Sequence, residues 1–162
     1  MDYKEYRPPT EIADLIECYW TNTLHPEDFN QAYDYIIPDR STEAIFMLKG
    51  HYLRDDEHQK DRHLVEACSL VPAFHQAVKV YQQPHTTCLG IRFKPGAITR
   101  LTGVSLAELD KPTYRLQELM PEMAEETMDK VLGNRPVPEL IESVNRWVSS
   151  RKKEANANHL LA

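Results

Sequence analysis

The segment Gly90-Ile-Arg-Phe-Lys-Pro-Gly96 constrains the fold more than any other stretch of the chain. Within Thr87–Phe93, Leu89, Ile91 and Phe93 fall on one face of a strand, while Arg92 and then Lys94 fall on the other. Pro95-Gly96 suits the two central positions of a tight turn, and beyond it the apolar spacing becomes helical. Such a chain builds strands first and helices afterwards.

Before the break, short apolar or β-branched runs predict strands over 33–37, 44–48, 67–71 and 77–81. Pro38 to Ser41 is turn chemistry, which joins the first two as a hairpin or by a short connection. Strand centres spaced by about ten residues predict an antiparallel sandwich or barrel. Near the N-terminus, Thr10 can cap an amphipathic helix carrying Ile12, Leu15, Ile16, Tyr19 and Trp20. Residues 54–63 are too polar to bury and read as an exposed loop.

After the break, Ile98 and Leu101 start a helix that Gly103 can end, and Ser105 with Glu108 forms a capping box for a further short turn. Met120, Met123, Thr127, Met128, Val131 and Leu132 trace a stripe that stops at Gly133. Val137, Leu140, Ile141, Val144, Trp147 and Val148 form another over 137–148, with Pro138 in its first turn. The expected fold is therefore α+β: an antiparallel β-sandwich or barrel, the cupin-like barrel included, with an N-terminal helix and C-terminal helices. Residues 1–150 read as one domain, and the small polar residues of 151–162 as the start of a linker to a further part.

Composition narrows the function. The 162 residues hold 19 basic and 25 acidic side chains, a net charge of −6, and the first 60 residues carry 13 acids against 6 bases. With Arg151-Lys152-Lys153 as the one basic cluster, the chain lacks the concentrated positive face that duplex DNA requires. No apolar stretch approaches the ~18 residues of a membrane span, nor of a signal peptide's apolar region, so a cytoplasmic location is expected. The five glycines form neither a dinucleotide fingerprint nor a phosphate loop, and no nucleophile elbow surrounds a serine.

Seven histidines include no pair one residue apart on a strand, and His58, His63 and Glu66 lie at the margin of a charged loop, so no metal is expected. Cys18, Cys68 and Cys88 lack flanking bases and read as buried structural thiols. Paired acids such as Asp55-Asp56 and Glu125-Glu126 read as solvating charge. No catalytic residue and no cofactor is assigned. The aromatics of the β-rich half either fill a core or line a pocket. Arg92, on a central strand, favours a pocket bordered by Trp20, Tyr35, Phe46, Phe74 and Arg92, open to an anionic or aromatic molecule.

Tyr6-Arg-Pro-Pro, Tyr19-Trp20, Tyr35-Ile-Ile-Pro-Asp39, Ala44-Ile-Phe-Met-Leu48 and above all Gly90 to Gly96, followed by Leu101, Gly103-Val104-Ser105 and 116–119, resemble the N-terminal domain of one branch of the AraC family of transcription regulators. The resemblance covers roughly residues 3–150. It implies a regulatory module, often a β-barrel with trailing helices, that binds a small-molecule effector or mediates dimerisation. DNA contact would belong to C-terminal helix-turn-helix units beyond this segment. A homodimer through Leu140, Ile141, Val144, Trp147 and Val148 is the expected assembly. The alternatives are a small metal-dependent barrel enzyme using His51, His75 or His85, and a pure oligomerisation module.

Overall fold

A computed structural model of the chain describes residues 1–28, 34–36, 39–55, 63–73 and 78–161, and for 34–36, 63 and 82 the backbone alone. Among the described residues ten strands run in the order β1 (Asp2–Tyr6), β2 (Ile16–Thr23), β3 (Asp34–Ile36), β4 (Thr42–Lys49), β5 (Tyr52–Asp55), β6 (His63–Leu64), β7 (Cys68–Val71), β8 (Val78–Gln82), β9 (Thr87–Phe93) and β10 (Tyr114–Arg115). Four α-helices follow β9 or flank β10: α1 (Ala97–Thr102), α2 (Leu116–Leu119), α3 (Pro121–Leu132) and α4 (Val137–Leu160).

The strands form a six-stranded sheet, β1-β2-β9-β4-β7-β10, and a four-stranded sheet, β3-β8-β5-β6, antiparallel in every pairing. Register sorts the large sheet into cross-strand rows. Tyr6, Tyr19, Ile91, Ala44 and Leu70 line up on one face, beside the row Leu89, Phe46, Cys68. These apolar rows pack against Ile98, Leu116, Met120, Met123, Leu140, Val144 and Val148 in the main core. At roughly 1.5–3 kcal/mol per fully buried large side chain, this contact is the chief reason the helices fold back on the sheet.

The opposite face carries the rows Cys18–Arg92–Glu43–Val71, Glu5–Trp20–Gly90–Ile45–Ser69 and Tyr3–Asn22–Cys88–Met47. Its Met47, Ile45 and Cys88 end meets Tyr52, Val78 and Val80 of the small sheet in a second, smaller core. The layers are thus helices, large sheet, small sheet, an α+β fold that matches the expected class.

Several expectations hold at the level of single residues. Gly96 takes φ 78° after Pro95, the left-handed turn that releases the chain into α1, and Gly103 closes α1 by donating its N–H to the Thr99 carbonyl. Ser105 and Glu108 make the capping box around a single 3₁₀ turn, Leu106–Glu108.

The N-terminal helix over 10–20 is corrected. Thr10–Ile12 is one 3₁₀ turn, and Ile16 onward is β2. The helical spacing of Ile12, Leu15, Ile16 and Tyr19 has another cause: the pairing of β2 with β9 shifts between Ile16 and Cys18, so the bulge returns Ile16 and Tyr19 to one face although they are three apart. Among the described residues β3 and β4 form no hairpin: β3 pairs with β8 while β4 pairs with β7 and β9. Arg54 and Asp55, read as loop, belong to β5, and Arg54 is buried; residues 56–62 of that stretch lie outside the described residues.

The last helix runs twelve residues beyond Val148, so the polar segment 151–160 continues α4 as helix. Its middle is pinned to the Thr10–Ile12 turn region: Lys152 Nζ donates to the Glu11 carbonyl and Asp14 Oδ1, both at 2.6 Å, and Ser149 Oγ donates to Glu11 Oε1 at 2.9 Å. Asp14 also accepts from Arg100 Nη1 at 3.0 Å, tying α1 to the same point.

Candidate functional site

Three strands bring polar chemistry together on the large-sheet face turned from the helices. Glu43, the one acid inside the apolar alternation of β4, stands directly opposite Arg92 of β9 in the pairing register. Arg92 Nε donates to Glu43 Oε1 at 2.9 Å, and Trp20 Nε1 donates to the same oxygen at 3.1 Å. Asp39 Oδ2 lies 3.8 Å from Arg92 Nη2, a longer-range partner. A half-buried arginine on a central strand is held by a carboxylate beside it, and Glu43 supplies it.

Gly90 completes the arrangement. Opposite Trp20 in the pairing, it leaves the space in which the indole lies: a Cβ there would stand 2.0 Å from Trp20 Cε2 and 2.2 Å from Cζ2. Tyr3 of the edge strand stacks with Trp20, ring centroids 6.2 Å apart, and its hydroxyl donates to Glu5 Oε1 at 2.7 Å. The indole thus lies against the Gly90 backbone, in contact with a tyrosine ring, with its N–H held by Glu43.

Burial pushes the Glu43 carboxyl above its ordinary value, against the hydrogen bond and charge of Arg92 and the Trp20 donor, which pull it back. Burial likewise works against the charge on Arg92, but the hydrogen bond and charge of Glu43, with the smaller pull of Cys18 and Asp39, together outweigh it and hold the guanidinium the more firmly protonated. The Cys18 thiol, in the same row, is raised by burial, with Arg92 opposing and nearby glutamates adding to the rise. A thiol so placed stays neutral and is no nucleophile. Burial pushes Cys68 and Cys88 up to about 12 each, and all three cysteines are free.

Two buried polar atoms on this face have no hydrogen-bond partner: Asn22 Oδ1 and Ser69 Oγ. They stand in the rows of Cys88 and Gly90, towards the small sheet. A buried polar atom left without a partner costs about 1–3 kcal/mol, so such atoms call for a water or a bound molecule.

Of the five residues expected to border a pocket, Trp20 and Arg92 meet through Glu43. Phe46 does not join them; it is wholly buried on the helix-facing side, packed in the main core. Tyr35 is placed by its backbone in β3, paired with Lys79, and Phe74 lies outside the described residues. Glu43 and Tyr3 carry no mark in the sequence as site residues, and Gly90 stands out only as part of its motif and not as the seat of the indole; the legible signal was an acid at an inward-alternating position of β4.

Among the described residues, no three of His, Cys, Asp and Glu come together as a metal set. His51 and His85 are exposed, while His58 and His75 lie outside the described residues. Glu126 of the adjacent acids binds Arg146 and Lys130, and Asp55 accepts from Tyr81. Of the stripe on α4, Leu140, Ile141, Val144 and Val148 are buried in the main core. Trp147 is half-buried, with Arg151 over its ring at 5.5 Å and its Nε1 donating to Glu122 Oε2 at 3.4 Å. No described helix is long and apolar enough to cross a membrane.

Residues 4–114 match a family described as Domain of unknown function (DUF6597). Among solved structures the chain is similar to apo ToxT K231A from Vibrio cholerae strain SCE256, with a TM-score of 0.46 at 10% identity, over 94% of this chain and 58% of that one. The chain thus spans less than two thirds of that protein's length. No curated protein matches the chain.

Proposed function

The chain belongs to the DUF6597 family, and on that premise we propose that it is the regulatory module of an AraC-type transcription regulator, non-enzymatic, sensing a small molecule and forming a homodimer. DNA contact falls to a separate helix-turn-helix part, with residues 1–150 as the module and 151–162 leading towards that part. The resemblance of Gly90 to Gly96 and its flanking motifs supports the family of regulators. The observation that carries the sensing role is the large-sheet face itself: an indole, an arginine–glutamate pair and two buried polar atoms without partners, on a surface whose opposite side already supplies the main core. Polar groups of this kind stabilise a core poorly and recognise ligands well.

Among the described residues no nucleophile–base pair argues for turnover, since the thiols are held neutral and Glu43 is engaged by two donors. Thermal-shift screening of anionic and aromatic metabolites, followed by titration against Arg92→Met, tests the sensing role. Binding that the variant loses supports it, and a domain that binds nothing in such a panel points to pure oligomerisation.

Dimerisation rests on Trp147, which keeps exposed surface within the α4 stripe beside Arg151 and Glu122. Trp147→Glu should turn a dimer into a folded monomer in sedimentation. A wild type that is monomeric at high micromolar concentration ends that reading.

A further inference from the structure

At the outer end of the same sheet face lies a half-open cleft of about 260 Å³, lined by Glu5, Tyr6, Arg7, Glu17, Cys18 and Arg92. Its position follows from the β2 bulge. The register shift between Ile16 and Cys18 leaves Glu17 without a cross-strand partner and projects it at the rim, while the chain leaves β1 at Tyr6 and sets Arg7 beside it.

The charges around this cleft are incompletely used. Arg7 is exposed and makes no ion pair or side-chain hydrogen bond to a described residue. Arg92 spends only its Nε on a hydrogen bond, to Glu43, and its Nη2 approaches Asp39 no closer than 3.8 Å, so both terminal nitrogens keep donors for another acceptor. On the acid side, Glu17 is exposed and makes no ion pair to a described residue, and Glu5 is engaged by the Tyr3 hydroxyl alone.

We propose that this cleft binds a small zwitterion of the α-amino acid class, its carboxylate on Arg7 and the terminal nitrogens of Arg92, its ammonium on Glu17 and Glu5. The inference rests on the reading of this face as a sensing surface and names its ligand class. Charge selects the class. Glu43 and Asp39 stand behind Arg92, so a bare anion meets a surface in which acids outnumber bases, and a bare cation leaves Arg7 and the terminal nitrogens of Arg92 without a hydrogen-bond acceptor. A molecule bearing both charges meets both sets of groups at no net cost in charge. The cleft volume admits an amino acid with a side chain of moderate size, which would extend along the neutral Cys18 thiol.

The test is calorimetric titration of the whole chain with glycine, L-leucine, L-glutamine and L-phenylalanine, each up to about 10 mM. The best of them is then repeated as its N-acetyl derivative and as its primary amide. Submillimolar binding that each blocked derivative weakens by about tenfold or more, and that Arg7→Met and Glu17→Gln each weaken by the same factor with the unliganded melting temperature unchanged, is the expected result. An N-acetyl derivative that binds as well as the parent makes this an anion site and overturns the proposal. An amide that binds as well makes it a cation site and does the same, as does the absence of any binding. If all four amino acids fail while another molecule binds and is lost in Arg92→Met, the sensing role stands and the zwitterion assignment alone falls.

Discussion

Gly90→Ala isolates the contact on which the sheet-face site depends. The added Cβ would stand 2.0, 2.2 and 2.4 Å from three atoms of the Trp20 indole. Carbon atoms pack at about 3.5–4.0 Å, so the ring must retreat by about 1.5 Å. Tyr3 stacks with the indole and Glu43 holds its N–H, so the retreat both over-packs the face and breaks the 3.1 Å hydrogen bond. Over-packing costs about 1–3 kcal/mol and the lost bond about 1 more, a total of about 2–4 kcal/mol. In a chain of this size that lowers the melting temperature by about 5–15 °C.

Urea unfolding followed by circular dichroism measures the loss, and a double-mutant cycle with Trp20→Leu locates it. With the indole gone, the same substitution should become neutral or stabilising, because alanine loses less backbone freedom than glycine on entering a strand. A Gly90→Ala protein within about 0.5 kcal/mol of wild type, or one whose cost persists in the Trp20→Leu background, refutes the reasoning.

Three further outcomes follow from the same geometry. Glu43→Gln removes the carboxylate beside Arg92 and should destabilise by about 1–3 kcal/mol in urea titration, whereas Glu17→Gln at the exposed bulge should change stability by less than about 0.5 kcal/mol. Asp14 and Glu126 are both held below the ordinary carboxylate range, chiefly by hydrogen bonds from Lys152 and Arg146. Their contribution is therefore present above about pH 4 and is lost as pH falls through the lowered values; an acid melting series should show this, and Asp14→Asn with Glu126→Gln should flatten it. With burial raising all three thiols, and Cys68 and Cys88 up to about 12, alkylation at pH 8 should be slow in the folded protein and rapid for all three cysteines in urea.

Where a strand segment alternates, as Thr42 to Phe46 of β4 does and as Leu89, Ile91 and Phe93 of β9 share one face, burial on one side writes itself into the sequence, and capping chemistry at Gly96, Gly103 and Ser105 does the same for turns. The bulge in β2 breaks that alternation and imitates helical spacing, which is why Ile16, Tyr19 and Trp20 read as a helix. β5 was hidden because Arg54 and Asp55 are charged residues on a strand, Arg54 buried despite its charge. Trp20 and Arg92 were legible as unusual residues on strands. Phe46 was not separable from them, since an aromatic on a two-sided sheet points to either core with equal propensity and register alone decides the side. Glu43 became visible as Arg92's partner only when the pairing of β4 with β9 set the two opposite one another. The span of α4 beyond Val148 carries no apolar stripe, and its helicity rests on the contacts of Ser149 and Lys152 with Glu11 and Asp14.

The two tryptophans, one on each side of the large sheet, make the most direct test of the sensing role. In protein labelled with 5-fluorotryptophan, Trp20 reports from the face bearing Glu43 and Arg92, and Trp147 from the helix side. Titration with a ligand found by thermal-shift screening should move the Trp20 fluorine resonance while Trp147 stays in place, and Arg92→Met should abolish the shift. A ligand that moves the Trp147 resonance and leaves Trp20 unchanged would contradict the account.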